Sequence, residues 1–329
     1  MAFPGKIPAY VPSARGLPPR AMSGLFPRRV GAPFTGNAVL RSVSGMLPTA
    51  TALADGAWSP RLGVMAIGGG GGGHPICTSR DSINWVTRAT TGASFSRMLW
   101  IDELRKFYGL GTQSQGWESY DGIVWSQTTA CPANIWDVCY SNRYRRLVCV
   151  TTNTASLSDD GGKTWYSATT MPAGTWLSVC CADELGLLVA TNNAVSTNRF
   201  AVSSDGGKNW STVSGEAVSL WRISWAPKIG TFCAVGTGNT FISRDGKTWR
   251  KISVPLLTGQ FSNQWIPALG MFAVTDFSAP YIAFSADGVT WKTVPTGAVA
   301  NRYGLCFNPS SRVLLVTADT TRPTLVANL

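Results

Sequence analysis

Ser158-Asp159-Asp160-Gly161-Gly162-Lys163-Thr164-Trp165 is the stretch whose reading decides the fold. An aspartate carboxylate beside glycine can accept backbone N–H bonds within a tight reversal. Glycine permits the backbone angles of such a turn. The tryptophan that follows offers a large apolar surface between strands and an indole N–H able to reach a carbonyl. The same pattern recurs at Ser79-Arg80-Asp81 with Trp85, Ser119-Tyr120-Asp121 with Trp125, and Ser203-Ser204-Asp205 with Trp210. It recurs again at Ser243-Arg244-Asp245 with Trp249 and at Ser285-Ala286-Asp287 with Trp291. The tryptophans lie 39 to 45 residues apart, the length of four short strands with their turns, which is one propeller blade.

Between the turns the strands are legible. Trp176–Ala182, Leu187–Thr191 and Phe200–Ser203 are followed by the Asp205 turn and a fourth strand from Trp210. The next unit repeats this with strands starting at Trp221, Thr231, Thr240 and Trp249. β-Branched and aromatic residues separated by Gly, Asn and Asp favour strand over helix. The last unit holds only three strands, at Tyr303–Phe307, Val313–Thr317 and Thr324–Leu329, whereas Ala38–Ser44 is a strand without a unit. The expectation is an all-β, seven-bladed β-propeller, with six blades as the alternative, closed by residues 37–44 as the missing fourth strand. Closure removes exposed edges that would otherwise invite aggregation.

The Ser-x-Asp-x-Gly-x-Thr-Trp pattern resembles the Asp box, or BNR repeat, of sialidase-like β-propellers. Ser158, Asp160, Gly162, Thr164 and Trp165 match it fully; Ser203, Asp205, Gly207 and Trp210 match with Asn209 in place of Thr. Four copies are one residue shorter, and the Asp81 copy also lacks the glycine. The resemblance implies a structural role for Asp81, Trp85, Asp121, Trp125, Asp160, Trp165, Asp205, Trp210, Asp245, Trp249, Asp287 and Trp291. It also implies turns between third and fourth strands, away from any catalytic centre. Sialidases of this kind use an arginine triad, a Tyr/Glu nucleophile pair and an Asp acid/base, with an early Arg-Ile-Pro motif. That motif does not occur here; Phe26-Pro27-Arg28-Arg29 is a superficial likeness.

Composition limits the chemistry further. The 329 residues include one histidine, His74, and four glutamates, Glu103, Glu118, Glu184 and Glu216, so general acid/base candidates are few. Asp55, Asp102, Asp137, Asp159, Asp183, Asp276 and Asp319 lie outside the box positions, and no glycosidase carboxylate pair can be nominated from spacing. The glycine run from Gly68 to Gly73 leads into a strand-like segment and not into a helix, which reads as a loop and not as a phosphate cradle. Arg143-Tyr144-Arg145-Arg146 reads as a solvated hairpin tip, with contact to a partner as the second choice. Seven of the eight cysteines sit in apolar strand-like runs, with Cys131 beside a proline turn; they read as reduced core residues, not disulfides or zinc ligands. No catalytic residue, no cofactor and no metal site are expected.

Residues 1–36 differ from everything after them. They hold seven prolines, the basic residues Lys6, Arg15, Arg20, Arg28 and Arg29, and no acid. Such a segment favours extended chain over helix or central strand. Its apolar residues, Tyr10 and Phe26 among them, suggest an arm that becomes ordered along a partner protein. The net charge of +11 does not include a dense Lys/Arg run, so specific nucleic-acid binding is not expected. No stretch is apolar and long enough for a membrane helix, and no secretory leader is apparent.

Two domains are therefore expected, an arm at 1–36 and a propeller at 37–329. The functional expectation is a non-enzymatic structural or interaction protein, most naturally a bacteriophage virion component of the tail, made in the host cytoplasm and present in multiple copies. Lys6, Tyr10, Arg15, Arg20, Phe26, Arg28 and Arg29 would dock the arm on other virion proteins, and the propeller would be a platform able to meet a host glycan or receptor. The alternative is a sialidase-like glycoside hydrolase or a lectin acting on host polysaccharide.

Overall fold

The computed structural model describes residues 39–42, 53–69, 75–92, 94–111, 114–128, 131–296, 302–318 and 325–328. The arm, Gly70–Gly73, His74 and Asp319 lie outside the described residues. The first strand, β1 (Val39–Ser42), stands apart from the units that follow. Six blades are each built from four strands consecutive in the chain. The first comprises β2 (Leu53–Ser59), β3 (Val64–Gly69), β4 (Pro75–Ser79) and β5 (Val86–Thr90), and the second β6 (Phe95–Ile101), β7 (Lys106–Gly111), β8 (Gly116–Ser119) and β9 (Ser126–Thr128). The third contains β10 (Asp137–Ser141), β11 (Arg146–Val150), β12 (Ala155–Ser158) and β13 (Tyr166–Ser167), and the fourth β14 (Trp176–Ala182), β15 (Leu187–Asn192), β16 (Ser196–Ser203) and β17 (Ser211–Val218). The fifth runs through β18 (Arg222–Ala226), β19 (Thr231–Gly236), β20 (Asn239–Ser243) and β21 (Arg250–Ile252), and the sixth through β22 (Gln260–Ile266), β23 (Met271–Asp276), β24 (Tyr281–Ser285) and β25 (Lys292–Pro295).

A further four-stranded sheet is composite. Its order is β1, β28 (Leu325–Asn328), β27 (Val313–Ala318) and β26 (Arg302–Asn308), so β1 supplies the outer strand to three strands from the carboxyl end. The pairing is antiparallel, with Val39 opposite Asn328 and Ser42 opposite Leu325. β26 packs against both β22 and β2, which closes the ring of inner strands. The chain is an all-β propeller.

Burial explains the sequence pattern. The second strands β3, β7, β11 and β19 are buried along their whole length, because each blade is covered on both faces by its neighbours. They therefore read as continuous apolar runs and not as alternating ones. The fourth strands β5 and β9 face solvent. The core lies between blades: Phe200 and Val202 of β16 pack with Phe232, Ala234 and Phe241 of the fifth blade. Across the ring closure, Met65, Ile67 and Cys77 pack with Cys306, Val313 and Leu315. Trp249 stacks on Phe200 of the preceding blade at 3.8 Å between ring centroids.

Two expectations need correction. Gly68 and Gly69 belong to β3 and not to a loop. A Cβ on Gly68 would stand 2.7 Å from the Phe95 ring of the next blade, so close packing, not chain freedom, requires glycine there. The Arg143–Arg146 tip is not simply solvated. The Tyr144 hydroxyl donates to the Ser204 carbonyl at 2.7 Å, and Arg146 is buried, donating to Asp159 and to the Gly206 carbonyl.

The residue closing the turn between first and second strands has positive φ throughout: Gly63, Arg105, Arg145, Gly186, Gly230, Gly270 and Arg312. A side chain in the left-handed region costs about 1–2 kcal/mol, part of which glycine gives back as unfolded-state entropy. Arg105→Gly should therefore raise stability by about 0.5–1 kcal/mol in urea unfolding. Unchanged or reduced stability would show that the Arg105 side chain contributes contacts worth more than the strain.

Candidate functional site

The six box turns join third to fourth strands and share one hydrogen-bond pattern. The serine hydroxyl donates to the aspartate Oδ1 at 2.8–3.1 Å in every copy. The serine Oγ in turn accepts a backbone N–H three or four residues on, at 2.8–2.9 Å. Each aspartate then caps two further N–H groups, as Asp160 does for Lys163 and Thr164. The indole N–H of Trp85, Trp210, Trp249 and Trp291 donates to the carbonyl of the residue that serine caps. Where the other copies have glycine, the first has Ser82, at φ 64°. Its hydroxyl accepts Asn308 Nδ2 at 2.9 Å, which ties the composite sheet to the first blade. Boxes elsewhere are also seated on the preceding blade: Lys106 Nζ donates to the Gly161 carbonyl at 2.6 Å and Tyr108 to that of Gly162.

These turns carry a pH signature. Slight burial works against the charge of Asp81 and Asp245, yet the N–H and hydroxyl donors prevail and hold both at about 2. The same balance depresses Asp160, Asp205 and Asp287, and at Asp121 the backbone donors of Ile123 and Val124 are the leading influence. A depressed carboxylate stabilises the fold above its unfolded pKa, near 4, and the contribution vanishes as pH falls through the folded value. Thermal melts followed by circular dichroism should be level from neutrality to about pH 5, then fall steadily between about pH 4 and 2. A flat profile across that interval would contradict the capping assignment.

A charged network lies in the hub, on inner strands. Arg97 of β6 meets Asp55 of β2 and Asp137 of β10, each at 3.3 Å, and Arg222 of β18 meets Asp137 at 3.3 Å. Bulges near the start of β2 and β6 accompany this placement. The carboxylates also accept N–H groups across blade boundaries, Asp55 from Met98 and Asp137 from Val179, and Ser178 accepts from Ile223. Burial pushes the Asp55 carboxyl up, against the pull of Arg97 and Arg222. Burial disfavours the Arg97 charge too, but Asp55 and Asp137 outweigh it and hold its pKa above the ordinary arginine value. Both arginines are thus paired with aspartates.

First and third strands of a blade run parallel, so the box turns and the turns after the inner strands open at the same end. There the inner strands surround a hollow of about 510 Å³. Trp100, Tyr140, Trp225 and Trp265 supply aromatic walls, and Asp102, Glu103, Asp183 and Glu184 supply carboxylates at the turns. Indole and carboxylate are paired: Trp100 Nε1 donates to Asp102 at 3.1 Å and Trp225 Nε1 to Glu184 at 2.9 Å. Asn142 N–H and the Ser141 hydroxyl donate to Asp183. Burial, then the nearby Glu103, raises the Tyr140 phenol. Arg97, shared with the hub, lines the same space.

The twelve box residues therefore lie on turns that brace the ring. The arm residues Lys6, Tyr10, Arg15, Arg20, Phe26, Arg28 and Arg29 lie outside the described residues. The hub and the hollow are what the sequence reading missed, although Asp102-Glu103-Leu104 and Asp183-Glu184-Leu185 recur in equivalent turns. Among the described residues, no group of three or more His, Cys, Asp or Glu side chains converges on a metal position.

No known family profile matches the chain, and no curated protein is significantly similar to it in sequence. Solved structures do match. YCF48 from Cyanidioschyzon merolae is 18% identical, with a TM-score of 0.66 over 88% of this chain and 98% of that one. A structure of YCF48 bound to D1 peptide is 17% identical, with a TM-score of 0.66 over 88% and 94% of the two chains. At these identities the likeness establishes the propeller fold.

Proposed function

We propose that this chain is a non-enzymatic binding platform whose hollow holds an extended, cationic segment of another protein. The observation that carries the reading is the pairing of indoles with carboxylates at one end of the ring. Arginine and lysine stack on aromatic faces and form charge-assisted hydrogen bonds with carboxylates, so this lining suits a basic peptide. A propeller of the same fold, YCF48, has been captured with a peptide of another protein. The engagement of Arg97 and Arg222 by aspartates speaks against a sialidase-type centre.

The wider setting we propose is the virion of a bacteriophage, in its tail, with the arm at 1–36 fastening the platform to neighbouring subunits. Its support is the basic, proline-rich composition of that segment together with its apolar anchors. The assignment of the repeated turns to the Asp-box type rests on their common hydrogen-bond pattern. Mass spectrometry of purified particles should find the polypeptide in stoichiometric amount, and its absence would remove the virion setting while leaving the platform reading intact.

The platform is tested with labelled hexa-arginine and hexa-glutamate peptides in fluorescence anisotropy. Hexa-arginine should bind saturably, more weakly as salt rises, and about tenfold more weakly to the Asp102→Asn/Glu184→Gln variant. Equal binding of both peptides, or turnover of a fluorogenic sialoside by the purified protein, would overturn the reading.

A further inference from the structure

Two cysteines on adjacent blades meet beside the hollow. Cys139 on β10 and Cys181 on β14 are free thiols, half-buried, with their sulfurs 2.6 Å apart. The other six are placed differently: Cys77, Cys149, Cys180, Cys233 and Cys306 are buried in strands, Cys180 beside Cys181 at the same hollow, and Cys131 lies off the sheets. Both Cys139 and Cys181 line the solvent-open hollow, so a small oxidant has a route to them. A disulfide needs its sulfurs at about 2.05 Å, which leaves about half an ångström of closure for side chains already in contact. The inner strands that carry them pack directly against each other.

We propose that Cys139 and Cys181 form a reversible oxidation site, a disulfide that clamps the third blade to the fourth. The oxidant is a small-molecule disulfide such as oxidised glutathione. One protein thiolate attacks a sulfur of the oxidant, giving a mixed disulfide and releasing the first glutathione thiolate. The second protein thiolate attacks the protein sulfur of that mixed disulfide and releases the second. Two electrons pass from the cysteine pair to the oxidant, and the two thiol protons end on the two glutathione molecules released. Burial raises both thiols above the ordinary cysteine range, which makes the exchange slow but does not alter its balance.

The bond would close a covalent loop across a blade boundary. Constraining the unfolded chain in this way favours the native ring. It would leave the hollow's aromatic and carboxylate groups in place, so this inference stands independently of what the hollow binds.

The full-length protein, incubated with oxidised glutathione and then denatured and alkylated, should show two fewer reactive thiols than the eight of the reduced chain. A non-reducing peptide map should contain one cross-link, Cys139 to Cys181. The melting temperature should rise by roughly 5–10 °C and return on adding dithiothreitol. Cys139→Ser and Cys181→Ser, each checked for an unchanged reduced-state melt, should show neither the cross-link nor the rise. Eight alkylatable thiols after oxidation, a cross-link between other cysteines, or a cross-link with no rise in melting temperature would each overturn the proposal.

Discussion

Internal deletion of residues 37–44 is expected to lower the melting temperature by roughly 6 °C and to leave a protein prone to self-association. β1 is paired with β28 through four successive residue pairs, from Val39–Asn328 to Ser42–Leu325. Losing about four backbone hydrogen bonds at about 1 kcal/mol each gives about 4 kcal/mol. For a chain of this size each kcal/mol moves the melting temperature by about 1.5 °C. The deletion also turns β28 into an outer edge with unpaired N–H and C=O groups, which is why light scattering should rise along with the lower melt. Deletion of residues 1–36 is the control, since it leaves β1 in place. Adding a synthetic peptide of residues 37–44 should restore part of the loss. A melt within about 2 °C of the intact protein would mean that the β1–β28 pairing contributes nothing to closure.

The blade period and the composite sheet could be read from the sequence because their signals are local. A tryptophan after each Asp turn marks one blade, and a strand without a unit at one end answers a missing strand at the other. Strand limits were less legible. β17 runs on to Val218, well beyond the apolar stretch after Trp210, because its outward side needs no apolar residues. Gly68 looked like loop because its requirement comes from Phe95, a residue of the next blade. The hub was hidden for a deeper reason. Asp55, Arg97, Asp137 and Arg222 come from four different inner strands and meet only when the ring is closed. Aligning the repeats would have offered a clue, since a charged residue early in an inner strand is out of keeping with a buried position. Cys139 and Cys181, about one blade repeat apart, could have been found the same way.

Asp137→Ala should be the most damaging single substitution in the hub, destabilising the protein by about 3–5 kcal/mol in urea unfolding. The Asp137 side chain is only 2% exposed and meets Arg97 and Arg222 together. It also accepts the Ser178 hydroxyl and the Val179 N–H. Alanine leaves two guanidiniums facing the single carboxylate of Asp55, with little water to solvate the excess charge. That imbalance, more than the lost contacts, sets the size of the effect, because an uncompensated buried ion costs more than an absent pair. Pairing the change with Arg222→Met restores one carboxylate to one guanidinium. The Asp137→Ala/Arg222→Met double variant should therefore be more stable than the sum of the two single losses by about 2 kcal/mol. Asp137→Asn should fall between wild type and alanine, since it keeps an acceptor for Val179 but not the charge. If the alanine variant loses less than about 1 kcal/mol, or the two changes simply add, the hub is not electrostatically coupled. The ring would then be held by its apolar blade contacts and box turns alone.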